Sequence, residues 1–273
     1  MLKGSKMQGF KSPQRTAGVG SFAGVVKPEA NEGRKMEAEG KRADKDGRAS
    51  SLKADRRDRV RRTYNLHLLD GFDVGPSGMP LLDPVEVVPE RLRAFTSCPR
   101  CSDPNAGVHF FLDDYRFEGT WSDPVRYVPM LSRFACVLTP DFSCYLDMPE
   151  PMQRWNVYRG RAVGRVWQNA GLAVVPTLTW GEPYTYAFAF EGVPQGSVVA
   201  LSTVGLMDCV EGIELFRNGA AEAARRLRPS VVLAYGRRCE FDAHGAEVMW
   251  YESEMQQRFE QIRKDKQTDG KEA

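Results

Sequence analysis

The stretch VHFFLDDYRFEGTW, residues 108–121, begins with the mostly apolar run VHFFL and then becomes charged. An apolar run without polar alternation is typical of a strand that is covered on both faces, as the strands of parallel sheets are. The charged residues that follow are Asp113, Asp114, Arg116 and Glu118, and they stand where such a strand leaves its sheet. The stretch therefore predicts a buried parallel strand with a polar exit.

Four later runs repeat this pattern. They are ACVLT (135–139), LAVV (172–175), SVVALS (197–202) and VVLAY (231–235). Strands that alternate with helical segments are the sequence form of βα units in a parallel sheet. The chain is thus predicted to be an α/β protein with five or six βα units and a mainly parallel sheet. An open twisted sheet and a partial TIM-like barrel both fit this pattern.

The segments between these runs carry start and stop signals for helices. SDPVRYVPMLSRF (122–134) has a Ser or Asp cap and a proline near its start, which predicts one short helix. Residues 149–170 are predicted to be helical, with Gly171 as the stop signal. The connection at 182–196 has room for a brief helix, and residues 209–229 form a long helix that ends at a proline.

Charge and composition divide the chain into four segments. Residues 1–63 hold 17 Lys and Arg against 8 Asp and Glu, a net charge of +9, while the remaining 21 and 28 give −7. The first segment has little to bury, so we expect a disordered basic arm. An irregular lead-in with a CxxC pair is expected at 64–107 and the α/β core domain at 108–240. The last segment, 241–273, is expected to form a C-terminal helix over 246–264 and a polar tail.

No run of about 18 apolar residues is present, and the N-terminus lacks the apolar core of a secretory signal. We therefore expect no membrane association and a cytoplasmic location. The six cysteines are scattered in a long chain, which does not indicate a disulfide framework. Cys98 and Cys101 form a single CPRC pair, but zinc needs four ligands and no second pair follows, so loop cysteines are favoured over a zinc site.

Polar residues gather at the ends of the predicted strands. Pro140 and Pro176 remove a backbone donor there, so pairing should stop and the following residues should turn outward. Because neighbours in a strand face opposite ways, one of Asp113 and Asp114 is expected to be structural. The residues expected at this rim are Asp113, Asp114, Asp141, Ser143, Thr177, Thr179, Trp180, Ser202, Thr203 and Tyr235.

The helix predicted at 149–170 carries an arginine on its apolar face. At about 100° per residue, Arg159 falls in the middle of that face, between Trp155 and Val166. The opposite side, where arginines are usually solvated, carries Arg154, Arg161 and Arg165. A guanidinium among apolar groups needs a carboxylate partner. The partners expected for Arg159 are Asp113, Asp114 and Asp141.

Five blocks of the chain, FLDDYRFE, LTPDFS, WNVYRGR, VVPTLTW and VALSTVG, are distinctive when taken together in this order. They resemble the signature blocks of a domain-of-unknown-function family that occurs in bacteria and in phages or other mobile elements. The resemblance spans roughly residues 80–240 and leaves out the basic arm. It implies a cytoplasmic bacterial or phage protein, and the family has no assigned activity to carry over.

The first functional hypothesis is a metal-dependent enzyme that acts on a phosphate-containing or nucleic-acid substrate. Asp113, Asp114 and Asp141 would bind Mg²⁺ or Mn²⁺ through oxygen ligands, and Arg159 would hold a phosphate or stabilise an oxyanion. The substrate-binding residues would be Arg116, Ser143, Thr177, Trp180 and Tyr235. An ion-paired network without any ligand is the structural alternative for the same aspartates and arginine.

The second functional hypothesis is a non-catalytic module that binds nucleic acid or protein. It rests on the basic N-terminal arm and on the stripe of Arg154, Arg161 and Arg165 with Tyr158 beside it. The negative net charge of the remaining chain argues against a large phosphate footprint. The Walker loop, GxGxxG, GxSxG and HExxH motifs are all missing from the sequence, which disfavours the familiar nucleotide-binding, hydrolase and zincin families.

Overall fold

The computed structural model describes residues 56–253 and residue 256. All of them belong to one compact unit of the chain. Residues 56–63 form helix α1, whereas the sequence prediction placed them in the disordered arm. The helix is held to the chain that follows it because Arg61 pairs with Asp70. The rest of the predicted arm lies outside the described residues.

Seven strands of the described part of the chain form the centre of the fold. They are β1 (Arg91–Ala94), β2 (Asp103–His109), β3 (Phe134–Leu138), β4 (Val174–Val175), β5 (Val199–Ser202), β6 (Val231–Tyr235) and β7 (Glu247–Tyr251). They pair in the orders β1-β2-β3-β4 and β5-β6-β7, and each of these ladders is parallel. The predicted α/β class with a mainly parallel sheet is therefore confirmed.

The two sheets are joined through the residues that follow β4. Thr177 forms a parallel bridge with Ala200 of β5. The Leu178 amide donates to the Ala200 carbonyl at 2.8 Å, and the Ala200 amide donates to the Pro176 carbonyl at 2.9 Å. Strand pairing thus continues past Pro176, where the sequence predicted that it would stop. The missing N–H of the proline does not matter here, because Pro176 takes part in the pairing with β5 only through its carbonyl oxygen.

Inward-facing residues of the strands, or of the positions directly after them, form one buried cluster. It contains Leu92, Phe111, Cys136, Leu138, Val175, Ala200, Leu233, Tyr235 and Tyr251. Across the interior, the rings of His109 on β2 and Tyr235 on β6 lie 4.3 Å apart between centroids. Two strands so far apart in the ladder can meet only if the sheet curls strongly. The partial TIM-like barrel, rather than the open twisted sheet, therefore describes this fold.

The edges of the barrel are β1 and β7, which share no ladder in the described part of the chain. The Tyr251 hydroxyl, at the end of β7, donates to the carbonyl of Pro89, just before β1, at 2.6 Å. This buried side-chain bond joins the two edges where backbone pairing does not. The barrel is thus closed by packing and one tyrosine and not by a continuous ladder.

Helices cover the outer face of the strands. They are α2 (Gly119–Ser122), α3 (Val128–Leu131), α4 (Glu150–Asn169), α5 (Tyr186–Ala189) and α6 (Val210–Leu227). Trp167 of α4 is fully buried, and its indole donates to the Pro124 carbonyl at 2.8 Å. Helix α6 ends at Arg228, whose φ of 46° is left-handed, and Pro229 follows. Among the residues that the structure describes, no helix is long and apolar enough to cross a membrane.

Three strands lie wholly or mostly where the sequence predicted other structure. β1 and most of β2 fall in the segment predicted as an irregular lead-in, and β2 ends at His109 instead of continuing to residue 112. β7 occupies Glu247–Tyr251, where the sequence predicted the start of a helix over 246–264. Within the rest of that predicted helix, residue 256 is helical and most other residues are not described. A short run that is apolar on both faces has no periodicity that separates a strand from a helix, which explains this error.

Candidate functional site

A cavity of about 570 Å³ opens at the carboxyl ends of β2, β3, β4 and β5. We call it the mouth cavity, because it lies at the end of the barrel where parallel strands deliver ligand-binding groups. Its polar lining includes Asp113, Arg116, Asp141, Ser143, Trp180 and Ser202. The sequence predicted five of these residues at this rim and Arg116 as a substrate-binding residue, and the structure places all six around one space.

Asp141 is the titratable group whose surroundings suit proton transfer. Its side chain is half-buried at the exit of β3, and the Thr179 hydroxyl donates a hydrogen bond to its Oδ1. Burial, and to a smaller extent the charge of Asp114, raise the pKa of the Asp141 carboxyl to about 6, against the lowering effect of the bond from Thr179. A carboxyl with this pKa can accept or donate a proton near neutral pH.

Asp113 and Asp114 follow β2 and have different partners. Asp114 accepts hydrogen bonds from the amide of Ser143 at 3.1 Å and from its hydroxyl at 2.8 Å, which ties the exit of β2 to the exit of β3. Asp113 is exposed and pairs with Arg116 at 3.2 Å, and both line the mouth cavity. Asp114 is therefore the structural member of the pair, and Asp113 is the accessible one.

The structure does not assemble the metal site that the sequence suggested. Within residues 56–253, no group of three or more His, Cys, Asp or Glu side chains is arranged to hold a metal ion. Asp113, Asp114 and Asp141 are each engaged by a different neighbour, an arginine, a serine and a threonine. The two thiols of the CPRC pair are also engaged by nearby backbone, because those of Cys98 and Cys101 each contact the carbonyl oxygen of the residue four positions earlier.

Two of the predicted binding residues, Thr177 and Tyr235, do not line the mouth cavity. Thr177 is 3% exposed, and its hydroxyl donates to the Thr139 carbonyl at 2.7 Å. Tyr235 is 4% exposed and packs against His109 and Phe111 in the barrel interior. Both residues are still paired to a neighbouring strand, so their side chains lie a layer below the rim.

Arg159 is largely buried, as predicted, but it pairs with Glu118 instead of a strand-exit aspartate. Its side chain is 11% exposed, and Nη1 donates to both carboxylate oxygens of Glu118, at 2.7 and 2.9 Å. The guanidinium also lies 3.9 Å from the centroid of the Phe142 ring, and Nη2 donates to Asn156 at 2.7 Å. Arg159 does not line the mouth cavity, so its position gives no support to the predicted catalytic role.

We expect Arg159→Met to lower the free energy of unfolding by about 1–2 kcal/mol. Glu118 is 48% exposed, so water can solvate the carboxylate once its partner is gone, unlike the carboxylate of a fully buried pair. Urea denaturation followed by tryptophan fluorescence measures the change. Glu118→Gln is the matched control and should cost less than about 1 kcal/mol. A loss of about 4 kcal/mol for Arg159→Met would show that the pair is effectively buried.

Arg161 is buried, although the sequence placed it on the solvated side of α4 with Arg154 and Arg165. It is 2% exposed, and burial lowers the pKa of its guanidinium to about 10. Its three hydrogen bonds run to the carbonyl oxygens of Glu191, Thr177 and Ala189, at 3.2, 3.0 and 2.9 Å. Arg165 pairs with Asp83 at 2.7 Å. The predicted basic stripe is therefore not a free surface for nucleic acid.

The close packing of Trp180 against α6, behind the mouth cavity, was not predicted from the sequence, although a glycine inside that helix indicated it. The Trp180 indole donates to the Leu215 carbonyl of α6 at 3.2 Å. A Cβ at Gly219 of the same helix would lie 2.0 Å from that indole nitrogen. Glycine inside a long helix is unfavourable by roughly 1 kcal/mol relative to alanine, so its presence indicates that another group must approach closely. Gly219 makes room for one wall of the cavity.

Two phage proteins are similar in sequence to this chain. The "Gene 1 protein" of Mycobacterium phage L5 is 45% identical over 168 residues, which cover 59% of this chain and 73% of that protein. The "Gene 1 protein" of Mycobacterium phage D29 is 44% identical over 163 residues, which cover 58% of this chain and 60% of that protein. No solved structure matches the chain.

The family comparison covers the barrel. Residues 73–252 match the family described as Domain of unknown function (DUF4417). The matched range contains all seven strands and every residue of the mouth cavity named above. The resemblance to a bacterial and phage domain-of-unknown-function family, noted from the sequence blocks, is thereby confirmed. The match extends over more than half of the chain, and the chain therefore belongs to the DUF4417 family.

Proposed function

We propose that the mouth cavity is an active site in which Asp141 transfers a proton to or from a small polar ligand. One observation carries the proposal: a half-buried carboxyl lines a cavity of about 570 Å³ at the carboxyl ends of four parallel strands. In barrels of parallel strands, catalytic groups come from these ends, while the opposite end serves stability. Sites for small molecules have volumes of roughly 300–1,000 Å³, so the space suits such a ligand.

The lining describes the chemistry of the ligand. Asp113 and Asp141 offer carboxylate acceptors, and Ser143 supplies a hydroxyl, while the wall also contains Trp180 and Phe111. A ligand with hydrogen-bond donors and an apolar or ring-shaped part fits these groups. The position of the carboxylates disfavours a phosphate in this cavity, because a second negative charge would have to lie beside them.

Asp141 would take either role of a proton-transfer group, depending on pH. Below about pH 6 its carboxyl is protonated and can serve as a general acid, and above that pH the carboxylate can serve as a general base. The hydrogen bond from Thr179 fixes the orientation of the carboxyl group. Neither step requires a metal ion, which agrees with the separate engagement of the three aspartates.

A ligand screen tests the site directly. Saturation-transfer NMR on the full chain, with a panel of nucleosides, sugars and amino acids, should find a ligand. Ser202→Trp fills the cavity from its β5 wall and should abolish that binding, whereas Arg225→Gln, at an exposed ion pair on α6, should leave it unchanged. Binding that survives Ser202→Trp places the ligand elsewhere. Mg²⁺ and Mn²⁺ form a separate arm, because stabilisation by metal that is lost in Asp141→Asn would restore the metal hypothesis.

The titration of Asp141 is a prediction that needs no ligand. Its side-chain carboxyl carbon should titrate near pH 6 in NMR spectra. Thr179→Val should raise this midpoint, because the hydrogen bond favours the ionised form, and Asp114→Asn should lower it, because a negative neighbour is removed. A midpoint near 4, the usual value for aspartate, would contradict the proton-transfer role.

A further inference from the structure

A second cavity, of about 580 Å³, lies between the first turns of α6 and the residues that follow β6. We call it the arginine cleft. Its lining includes Met207, Ile213, Arg217, Arg237, Arg238 and Trp250. None of these residues lines the mouth cavity. Three guanidinium groups in one concave surface are unexpected here, because the chain beyond residue 63 has a net charge of −7.

The three arginines are held in different ways. Arg217 donates through Nε to the Glu240 carbonyl at 3.1 Å, and Arg237 donates through Nη1 to the Met207 carbonyl at 3.1 Å. These backbone bonds orient both guanidinium groups, and apart from the contact of Arg237 with Asp208 their other N–H groups have no partner among the described residues. Arg238 is exposed and makes no hydrogen bond or ion pair with any residue that the structure describes. The cleft thus holds unused donors.

Two carboxylates reduce the positive charge of the cleft without cancelling it. Glu240 is part of the lining, and Asp208 contacts Arg237 at 3.3 Å. The Asp208 side chain is 91% exposed, so this pair is weak and can open when a stronger anion arrives. Three guanidinium groups against two carboxylates leave the cleft with an excess of positive charge.

We propose that the arginine cleft binds a phosphate-bearing ligand. The guanidinium groups of Arg217, Arg237 and Arg238 would contact the phosphate oxygens, because the planar fork of arginine matches that group with two parallel hydrogen bonds. Trp250 is half-buried, and its indole provides an aromatic surface for the organic part attached to the phosphate. The volume accommodates one nucleotide, which arrives either free or as part of a single-stranded nucleic acid.

The inference is independent of the proposed function, since the two cavities share no residue. The phosphate that the sequence hypothesis assigned to Arg159 finds better ligands here. Arg159 is already committed to Glu118 and Asn156, whereas Arg238 has no partner in the described part of the chain. The proposed chemistry is one of binding.

Isothermal titration calorimetry on the full chain tests the proposal with two probes, AMP and a short single-stranded DNA oligonucleotide. We expect Arg238→Gln and Arg237→Gln each to weaken binding about tenfold, as the loss of a charge-assisted hydrogen bond does. Arg225→Gln is the matched control. It removes an exposed arginine from the last turn of the same helix that carries Arg217, outside the cleft, and it should leave both affinities unchanged.

The two probes distinguish the two sources of the phosphate. AMP binding that the double variant Arg237→Gln/Arg238→Gln weakens identifies a nucleotide site. A nucleic-acid site is identified if only the DNA binds, and if the double variant binds it more weakly and with an affinity that depends less steeply on salt concentration. Either probe should quench tryptophan fluorescence, and Trp250→Phe should remove that quenching. The proposal is overturned if neither probe binds, or if the double variant binds as tightly as the control, as it would if residues 1–63 alone held the DNA.

Discussion

Arg161→Met should lower the free energy of unfolding by about 3–4 kcal/mol, the largest loss that we expect from a single change on α4. Methionine retains the apolar stem of the arginine, so the change isolates the guanidinium. That group donates to three backbone carbonyls, two of them fully buried. A buried polar group that loses its partner costs about 1–3 kcal/mol, while removal of the buried charge returns part of its desolvation cost.

The same bonds explain why this position is structural. Thr177 follows β4, Ala189 is the last residue of α5 and Glu191 lies just after α5, and Arg161 reaches all three carbonyls from α4. The arginine therefore holds the segment that leads from β4 to the mouth cavity. Arg161→Lys keeps a positive charge but cannot present five N–H groups in one plane, so it should still lose about 2 kcal/mol.

Chemical denaturation of the full chain measures both changes. Arg154→Met is the matched control on the same helix, because the Arg154 side chain is 42% exposed, forms an exposed ion pair with Glu150 one turn earlier and otherwise lies over the Phe188 ring. It should cost less than about 1 kcal/mol. If Arg161→Met costs no more than Arg154→Met, the three carbonyls find other donors or water, and Arg161 does not hold the β4 segment.

The class of the fold could be predicted from the sequence because its strands are covered on both faces. The runs at 135–139, 197–202 and 231–235 overlap β3, β5 and β6. The central residues of these strands are apolar on both faces, so each strand appears in the sequence as a continuous apolar run. β1 (Arg91–Ala94) escaped notice, because its burial alternates and two of its four residues are arginines. Closure into a barrel was also beyond the sequence, since it depends on contacts between distant strands such as β2 and β6.

The mouth cavity could be predicted in outline because the carboxyl ends of parallel strands meet at one edge. Asp113, Asp141 and Trp180 line it as expected. The partners of the arginines on α4 could not be predicted in the same way. A helical wheel shows which residues share a face, but it does not show what covers that face. The β4–α5 connection covers the side with Arg161, and Glu118, from the segment after β2, reaches Arg159.

Asp141→Asn should reduce any reaction at the mouth cavity about 100-fold or more and, at the same time, stabilise the folded protein near pH 8. The loss of rate follows from removing a general acid or base, since asparagine keeps the shape of the side chain but transfers no proton. Asparagine can still accept the hydrogen bond that Thr179 donates to Oδ1. The substitution therefore tests the loss of proton transfer without a change in the packing of the side chain.

The gain in stability follows from the raised pKa of Asp141. The pKa of the carboxyl is about 6 in the folded state, against its ordinary value of 3.8. Between these two pH values the folded state binds a proton that the unfolded state has lost, so stability falls as the pH rises through this window. Above about pH 6 the folded wild type bears an ionised, half-buried carboxylate at a cost of about 3 kcal/mol. Asparagine has no such cost.

Denaturation of wild type and Asp141→Asn at several pH values tests this sign, and the difference between the two cancels the other titrating groups. The variant should be more stable by about 3 kcal/mol at pH 8, and the two should converge below about pH 4, where both side chains are neutral. Thr203→Val, at a buried hydroxyl outside the cavity lining, is a control that should show no such pH dependence. A variant that is equally stable or less stable at pH 8 would mean that Asp141 is ionised at no cost. Asp141 would then be an ordinary polar residue of the rim. An active-site group is typically one that is retained for catalysis although it lowers the stability of the folded protein, and Asp141 would not show that cost.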